Sequence, residues 1–250
     1  MRIAAAQTTS LPGDVAANLQ THLRFAEAAA AAGVQVLVFP ELSLTGYDLP
    51  GLARQAAGAG DAVFAPLRDA ARRHGMALVV GAPARREGGA RPGIGAFTFH
   101  PDGRAALYCK RHLHPGEEVH AGAGTEDVHL AEFAGVPTAL AVCADISHGT
   151  HADAAARSGA AVYAAGVVIS EGGYAQDSAH AQGHAERCRM AVLLANHGAP
   201  TGGYRSAGRS SFRAPGGALL AEAPGTGDWL VIAHRDASGW SARAEPVAAP

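Results

Sequence analysis

The sequence predicts an α/β fold in which helices cover strands in layers. Three observations lead to this prediction: short apolar runs alternate with longer segments of helical periodicity, this alternation occurs in both halves of the chain, and turns containing Pro and Gly join pairs of strands. The 250 residues suffice for one large α/β domain. We expect a single domain over 1–250, with a core at about 3–234 and a C-terminal arm at 235–250.

The first half of the chain predicts three strands and two helices, followed by a hairpin. In chain order, these strands and helices are expected at 3–7, 15–32, 34–39, 61–74 and 76–81. Asp14 is a favourable N-cap for the first helix, and Gly75 stands where the second helix should end. The hairpin strands are expected at 96–100 and 105–109, because the Pro-Asp-Gly sequence at 101–103 is typical of a tight turn.

The second half of the chain repeats this alternation. Its strands and helices are expected at 137–142, 151–158, 160–165, 172–190 and 191–196. A hairpin and a last strand are then expected at 206–212, 218–223 and 229–234. The tail from Trp240 to Pro250 shows no periodicity, so we expect it to form an arm.

Composition and charge argue against several classes of partner. The formal net charge is −2 and no segment is rich in Lys or Arg, so we expect no nucleic-acid partner. No stretch approaches the roughly 18 uninterrupted apolar residues of a membrane helix, and the first residues lack the apolar region of a signal peptide. Cys109, Cys143 and Cys188 lack the spacing of a disulfide framework, which favours reduced thiols and a cytoplasmic protein without a membrane partner.

Residues with catalytic chemistry follow three of the predicted strands. Glu41 comes directly after the strand at 34–39, Lys110 follows the hairpin, and Cys143 lies at the bend after the strand at 137–142. Because functional groups gather where the strands of an α/β sheet end, these three side chains could meet. A nucleophile needs a rigid attachment to the backbone and hydrogen-bond donors for the developing oxyanion. A thiol at a strand end, near the first free N–H groups of a helix, has both. A buried structural thiol and an exposed loop acid are the alternatives for Cys143 and Glu41.

Lys110 stands out because the other nineteen of the twenty basic residues are arginines. An ammonium and a guanidinium differ in shape, hydration and pKa. A chain that otherwise uses arginine is therefore expected to keep a lysine where only an ammonium serves, although chance retention is the alternative. The segment 111–118 then places two imidazoles and two carboxylates close to this ammonium in sequence.

Two other classes of function stay open from the residues alone. Three histidine pairs have spacings that could bind a metal, namely His112 with His114, His148 with His151, and His180 with His184. None of these pairs forms a complete ligand set with a nearby acid, so we expect no metal and no cofactor. The other alternative is a catalytically inactive binding subunit that keeps the fold.

Three stretches of the sequence resemble, in order and separation, the signature motifs of the nitrilase superfamily of carbon–nitrogen hydrolases. They are Phe-Pro-Glu-Leu-Ser-Leu-Thr-Gly-Tyr at 39–47, Tyr-Cys-Lys-Arg-His-Leu at 108–113 and Val-Cys-Ala-Asp at 142–145. The segments 195–198 and 208–211 also resemble the final strands of that family. The resemblance implies a four-layer α-β-β-α sandwich, with two central sheets and a pair of helices on each outer face. It also implies a homodimer or higher homo-oligomer that forms through one helical face.

The resemblance further implies catalytic roles for the three strand-end residues. Glu41 would serve as general base and acid, Lys110 would stabilise an oxyanion, and Cys143 would be the nucleophile. The backbone N–H of Ala144 would be a second oxyanion donor. Together these residues imply hydrolysis of a small-molecule amide through a cysteine thioester.

A second glutamate follows the lysine in this family. Counting back from Gly124 assigns its role to Glu117. The sequence departs from the family's pattern at Ala121, where an aromatic residue is usual, and at Ala123, where proline is common. These departures leave Glu118 as an alternative to Glu117.

The residues that contact the substrate are predicted less directly. The substrate pocket is expected to contain Tyr47, His114, His148, Val168 and Asn196. True nitrilases usually have Trp-Glu after the cysteine, whereas this chain has Ala144-Asp145, which favours an amide over a nitrile as substrate. Nitrile hydrolysis and N-carbamoyl-amine hydrolysis remain the alternatives within the family.

Overall fold

The computed structural model describes residues 1–86, 88 and 91–248. The strands within these residues are β1 (Arg2–Gln7), β2 (Val36–Val38), β3 (Ala77–Ala84), β4 (Gly93–Phe99), β5 (Ala105–Cys109), β6 (His129–Phe133), β7 (Val136–Val142), β8 (Val162–Gly166), β9 (Ala191–Ala195), β10 (Ser211–Arg213), β11 (Leu219–Glu222), β12 (Trp229–Asp236) and β13 (Gly239–Pro246). The α-helices are α1 (Val15–Ala31), α2 (Leu52–Gln55), α3 (Ala65–His74), α4 (Gly149–Arg157) and α5 (Tyr174–Cys188). The sequence analysis predicted all of these elements except α2, β6 and β13.

The strands form two sheets, each with parallel strands at its centre. The first sheet has the order β13-β12-β1-β2-β3-β4-β5, in which β1, β2 and β3 are parallel. The second sheet has the order β11-β10-β9-β8-β7-β6, in which β7, β8 and β9 are parallel. Antiparallel strands complete both sheets. Because the parallel strands of one sheet end at the same edge, the residues that follow them lie close together.

Apolar side chains separate the layers of the fold. Alternate residues of β1 show the arrangement: Ile3 and Ala5 pack between the two sheets, whereas Ala4 and Ala6 belong to the cluster that contains the buried faces of α1 and α3. A third cluster fills the space between the second sheet and the helices α4 and α5. The predicted four-layer α-β-β-α sandwich is therefore confirmed.

Local sequence determines the helix ends as expected. The carboxylate of Asp14 accepts a hydrogen bond from the backbone N–H of Ala17 at 3.0 Å, which caps α1. Gly75 follows α3 with a φ of 61°, a left-handed conformation that glycine adopts without strain. No helix within the described residues is both long enough and apolar enough to cross a membrane.

The C-terminal tail differs from the predicted arm. β13 pairs antiparallel with β12 along its whole length and forms the edge of the first sheet. Trp240, Ala242 and Ala244 pack towards the core between the sheets, while Ser241 and Arg243 are exposed. This is a half-buried strand pattern, but two of its three inward positions are alanine, so the sequence carries little hydrophobic contrast. Residues 249 and 250 of the predicted arm lie outside the described residues.

Candidate active site

Two strand ends and one short 3-10 helix place charged side chains in one buried cluster. The Nζ atom of Lys110, directly after β5, donates hydrogen bonds to Glu41 Oε1 at 2.7 Å and to Glu117 Oε1 at 2.8 Å. The exposed fraction is 0% for Lys110 and 1% for each glutamate. A buried ammonium needs opposite charges around it, and here two carboxylates supply them. We call Glu41, Lys110, Glu117 and Tyr47, which is described below, the Lys110 cluster.

Two glycines allow the segment that carries Glu41 to lie tightly against both sheets. A Cβ atom on Gly81 of β3 would lie 2.1 Å from the carbonyl oxygen of Pro40. A Cβ atom on Gly166 of β8 would lie 2.5 Å from the carbonyl oxygen of Phe39. Neither position can accept a larger residue without moving this backbone, so the Glu41 carboxylate is held by main-chain packing as well as by Lys110.

Cys143 lies at a sharp turn directly after β7. Its φ is 42°, a left-handed conformation that is uncommon for a residue with a side chain. Asp145 accepts a hydrogen bond from the backbone N–H of Val142 at 3.0 Å, which bends the chain back on itself. The half-buried thiol lies 3.7 Å from the carbonyl oxygen of Val168, at the end of β8. The turn therefore holds Cys143 in one orientation beside the pocket.

The charges of the cluster shift one another's protonation. Burial raises the pKa of Glu41 to about 7, while Lys110 and the Cys143 thiol oppose the shift. Burial alone would lower the pKa of Lys110. Interactions with Glu41, Cys143 and Glu117 have a larger, opposite effect, so the pKa of Lys110 lies above its ordinary value. Burial and the charge of Glu41 raise the pKa of Cys143 well above that of a free thiol. In this state the lysine is charged, the thiol is protonated, and Glu41 exchanges a proton near neutral pH.

Glu117 is fixed by contacts from three directions. Besides Lys110, the Tyr47 hydroxyl donates to its Oε1 at 2.6 Å, and the backbone N–H of His114 donates to its Oε2 at 2.7 Å. Burial raises the pKa of Tyr47 far above its ordinary value, so the phenol stays a donor. Glu118, the alternative from the sequence, is exposed, and its carboxylate accepts from the backbone N–H of Gly116. The structure thus places Glu117, and not Glu118, against the ammonium.

A pocket of about 240 Å³ opens beside Cys143. Its lining includes three residues that the sequence analysis predicted, His114, Ala144 and Val168. It also includes the residues Ile146, Ser147, Ser170, Gly173, Gln176, Asp177 and Tyr204. The polar part of this lining, made by His114, Ser147, Ser170, Gln176, Asp177 and Tyr204, is called the pocket wall below. Tyr47 is not part of the lining, but its ring packs edge-on against Tyr204 with centroids 5.6 Å apart.

Besides Tyr47, two other predicted pocket residues lie outside the lining. The Asn196 side chain is buried behind the pocket, where its amide bonds to the backbone of Ile169, His197 and Gly208 and has no free group for a ligand. His148 is exposed beside the turn, donates from Nδ1 to the Ala144 carbonyl at 2.8 Å and stacks on His112 at 3.9 Å. Both residues contact the backbone of the site, so we regard them as supporting residues.

Sequence reasoning missed two residues that hold the cluster in place. The buried Asp145 accepts from the Tyr108 hydroxyl at 2.8 Å and from the His112 backbone N–H at 2.9 Å, on either side of Lys110. It therefore joins the Cys143 turn to the segment that carries the ammonium. Its position two residues after the predicted nucleophile, at a buried strand end, was the available signal.

His197 supports the backbone of Glu41. Its Nε2 donates to the Glu41 carbonyl at 2.8 Å, and burial lowers the pKa of His197 to about 4, which keeps the ring neutral. Nothing in the sequence pattern connects His197 with Glu41, because the contact joins residues 156 positions apart. In the part of the chain that the structure describes, no group of three or more His, Cys, Asp or Glu side chains could hold a metal ion.

A sequence model of the carbon-nitrogen hydrolase family matches residues 2–245. The chain belongs to this family. The resemblance of the three motifs is thereby confirmed, and this hydrolase is an enzyme that acts on carbon–nitrogen bonds.

Solved structures of amidases from the nitrilase superfamily are similar to this hydrolase. A structure of an amidase from Nesterenkonia sp. AN1, described as a nitrilase-superfamily member, superposes with a TM-score of 0.85 and 29% identity, covering 93% of this chain and 89% of that chain. A structure of the NitN amidase of the same organism gives a TM-score of 0.87 and 28% identity, covering 95% and 94%. One structure of that amidase holds butyramide, and another shows Michael addition of acrylamide at the active-site cysteine.

Curated relatives of the hydrolase match over shorter segments. A glutamine-dependent NAD(+) synthetase of Rhodobacter capsulatus is 32% identical over 170 residues, which cover 64% of this chain and 30% of the synthetase. A 2-oxoglutaramate amidase of Bacillus subtilis is 33% identical over 116 residues, which cover 44% of this chain and 43% of that amidase. The matched region thus spans less than half the length of either relative.

Proposed function

We propose that this hydrolase converts a small-molecule amide into a carboxylate and ammonia or an amine, through a thioester on Cys143. The observation that carries the proposal is the Lys110 ammonium, buried between two carboxylates and next to a cysteine in a left-handed turn. An ammonium and a proton acceptor that both interact with a thiol in the lining of a pocket are the groups that acyl transfer from nitrogen needs.

In the first step, sulfur attacks the amide carbonyl while Glu41 takes the thiol proton. Because the pKa of Cys143 is raised, the thiol stays protonated until this attack, and because the pKa of Glu41 is about 7, the carboxylate form is available at neutral pH. The C–S bond forms, and the carbonyl oxygen becomes an oxyanion. Glu41 then gives the proton to the nitrogen as the C–N bond breaks, so ammonia or an amine leaves.

Lys110 and the backbone N–H of Ala144 are the proposed donors to the oxyanion. Donors of this kind contribute about 3 kcal/mol each to the stabilisation of a transition state. Glu117 and the hydroxyl of Tyr47 hold the ammonium in place, because Glu117 is itself fixed by the hydrogen bond from Tyr47 at 2.6 Å. Water then attacks the thioester with Glu41 as base, which releases the carboxylate and restores the thiol.

An amide is preferred over a nitrile as substrate for two reasons. The residues after Cys143 are Ala144 and Asp145, and Asp145 is occupied by hydrogen bonds to the turn. The similar structures from Nesterenkonia sp. AN1 are described as amidases, and one of them holds butyramide. Nitriles and N-carbamoyl amines are the alternatives that the assay must include.

The test is ammonia release from butyramide, acrylamide, butyronitrile and an N-carbamoyl amine, with Cys143→Ala and Cys188→Ala as matched variants. We expect release from the amides by the wild type and by Cys188→Ala, and none by Cys143→Ala. Peptide mass spectrometry after an acid quench should find the acyl group on the peptide that contains Cys143, and hydroxylamine should release that group as a hydroxamate and restore the thiol. Undiminished hydrolysis by Cys143→Ala, or acylation at another residue, would refute the mechanism.

The association of copies through a helical face is also a proposal. It rests on the chain's membership of the carbon-nitrogen hydrolase family and on the helices α4 and α5, which both pack on the outer face of the second sheet. Light scattering on the purified protein would measure the mass in solution, and a monomer at micromolar concentration would contradict the proposal.

A further inference from the structure

The pocket beside Cys143 has an uneven charge. Its lining contains one carboxylate, that of Asp177, one imidazole, that of His114, and no lysine or arginine. The Lys110 ammonium is already held by Glu41 and Glu117. A substrate that enters this pocket therefore meets one carboxylate and no fixed cation beyond the catalytic one.

Asp177 has no partner of opposite charge in the described part of the chain. It lies in the first turn of α5 and is half-buried, and its carboxylate makes no hydrogen bond or salt bridge to a described residue. Asp153, on the neighbouring helix α4, shows the usual arrangement, because it forms a salt bridge with Arg187 at 2.9 Å. An acid in a first helical turn also favours helix formation, so the test must separate specificity from stability.

The surroundings of Asp177 make its charge costly without a ligand. Burial raises the pKa of Asp177, and the nearby His180, on the same helix, and His114, from the segment after β5, oppose this shift. A half-buried carboxylate recovers the lost hydration when a cation or a hydrogen-bond donor contacts it. An ammonium on the substrate would supply both, whereas a carboxylate on the substrate would be repelled.

We propose that Asp177 determines the substrate class of this pocket: primary amides whose acyl chain carries an ammonium group, in preference to amides whose acyl chain carries a carboxylate. This inference rests on the proposed function. It sets the hydrolase apart from the relative named for 2-oxoglutaramate, an amide whose acyl chain carries a carboxylate and no ammonium.

Matched substrates test the inference. We would measure kcat/KM for amides of three to six carbons in three series: unsubstituted, ω-amino and ω-carboxylate. For the best chain length we expect the wild type to favour the ω-amino amide over the unsubstituted one by about tenfold, and to disfavour the ω-carboxylate by about tenfold. Asp177→Asn should lower the ratio of kcat/KM for the ω-amino amide to kcat/KM for the unsubstituted amide by about tenfold. It should raise the corresponding ratio of the ω-carboxylate amide to the unsubstituted amide.

Asp69→Asn is the matched control, because Asp69 is an exposed carboxylate on α3 that pairs with Arg72 at 2.8 Å. It changes the net charge equally and should leave both ratios unchanged. If Asp177 had a purely structural role, Asp177→Asn would change kcat/KM by the same factor for all three series. This result would overturn the inference. Equal wild-type rates for the three series would overturn it as well, while leaving the proposed function intact.

Binding to Cys143→Ala separates the two proposals. Calorimetry with 5-aminopentanamide and pentanamide should show tighter binding of the ω-amino amide, and adding Asp177→Asn should abolish the difference. If the wild type hydrolyses no amide, the proposed function fails, and this binding measurement still decides whether the pocket selects an ammonium. Equal affinities for the two amides would overturn the inference.

Discussion

In the Lys110 cluster each charged side chain touches an opposite charge, whereas in the pocket wall the carboxylate of Asp177 touches none among the described residues. The cluster is almost completely buried, and its Glu117 accepts hydrogen bonds from three donors. The pocket wall consists of exposed or half-buried residues. Under the proposed function this difference corresponds to a division of roles, in which the cluster would perform the chemistry and the pocket wall would select the substrate.

This division has an energetic basis. A substitution in the cluster leaves a buried charge unpaired, which costs several kcal/mol (about 3–5) and disturbs every neighbouring group. A substitution in the pocket wall changes a group that water can already reach, so it changes the affinity for one class of ligand. Changes of substrate preference are therefore expected in the wall, and losses of turnover are expected in the cluster.

The largest effect is expected for Lys110→Arg. Arginine keeps the positive charge, but its broad planar group does not fit between Glu41 and Glu117, where the two Nζ hydrogen bonds are 2.7 and 2.8 Å long. We expect kcat for butyramide to fall by at least about a thousandfold. Circular dichroism should show a folded variant, and Arg91→Lys, on an exposed residue, is the control. Turnover within tenfold of the wild type would show that the ammonium has no special role.

Asp145→Asn tests the connection between the Cys143 turn and the Lys110 segment. Asparagine presents an NH₂ group where the carboxylate accepts from Val142, His112 or Tyr108, so one of these buried donors loses its acceptor. We expect kcat to fall by about tenfold to a hundredfold, with little change in KM, and the free energy of unfolding to fall by about 2 kcal/mol.

The matched control for Asp145→Asn is Asp153→Asn, which removes an exposed carboxylate paired with Arg187. It should change kcat and the free energy of unfolding by less than about a third of the changes expected for Asp145→Asn. A fall in stability without a fall in kcat would mean that Asp145 supports the fold but does not position the nucleophile.

A smaller effect is expected from pH. Glu41 accepts the thiol proton only as a carboxylate, and burial raises its pKa to about 7. The protonated form dominates below this value, so kcat/KM should fall about tenfold per pH unit below 7 and level off above it. Butyramide is the substrate of choice, because it is uncharged and insensitive to the charge of Asp177. A profile that stays flat down to pH 5, in a protein that circular dichroism shows to be folded, would contradict the role of Glu41.

The sequence predicted which residues form the buried cluster better than it predicted which residues line the pocket, for a physical reason. Glu41 and Lys110 follow strands of the first sheet and Cys143 follows β7 of the second, and functional groups gather where the strands of such sheets end. A local pattern therefore implied a long-range contact. The choice between Glu117 and Glu118 was left open, because it depends on which side of a single short turn faces the lysine.

The pocket wall could not be predicted in this way. Asp177 and Tyr204 reach the pocket only because α5 and the segment before β10 pack beside the end of β7, and no local pattern encodes that packing. Asn196 was assigned to the pocket because it follows a strand, yet its neighbours in space are backbone groups that saturate its amide. A strand end thus predicts nearness to the site but does not predict which way a side chain faces.

The smallest effect on activity is expected for Trp240→Ala, although this residue matters for stability. Trp240 lies on β13 and packs on Phe212 with ring centroids 4.9 Å apart, far along the sheet from the Lys110 cluster. We expect the free energy of unfolding to fall by about 2–3 kcal/mol, with kcat/KM for butyramide within twofold of the wild type. Arg243→Ala, on the exposed side of the same strand, should change stability by less than about 0.5 kcal/mol. Urea denaturation measures both, and equal effects from the two variants would mean that β13 does not pack against the core in solution.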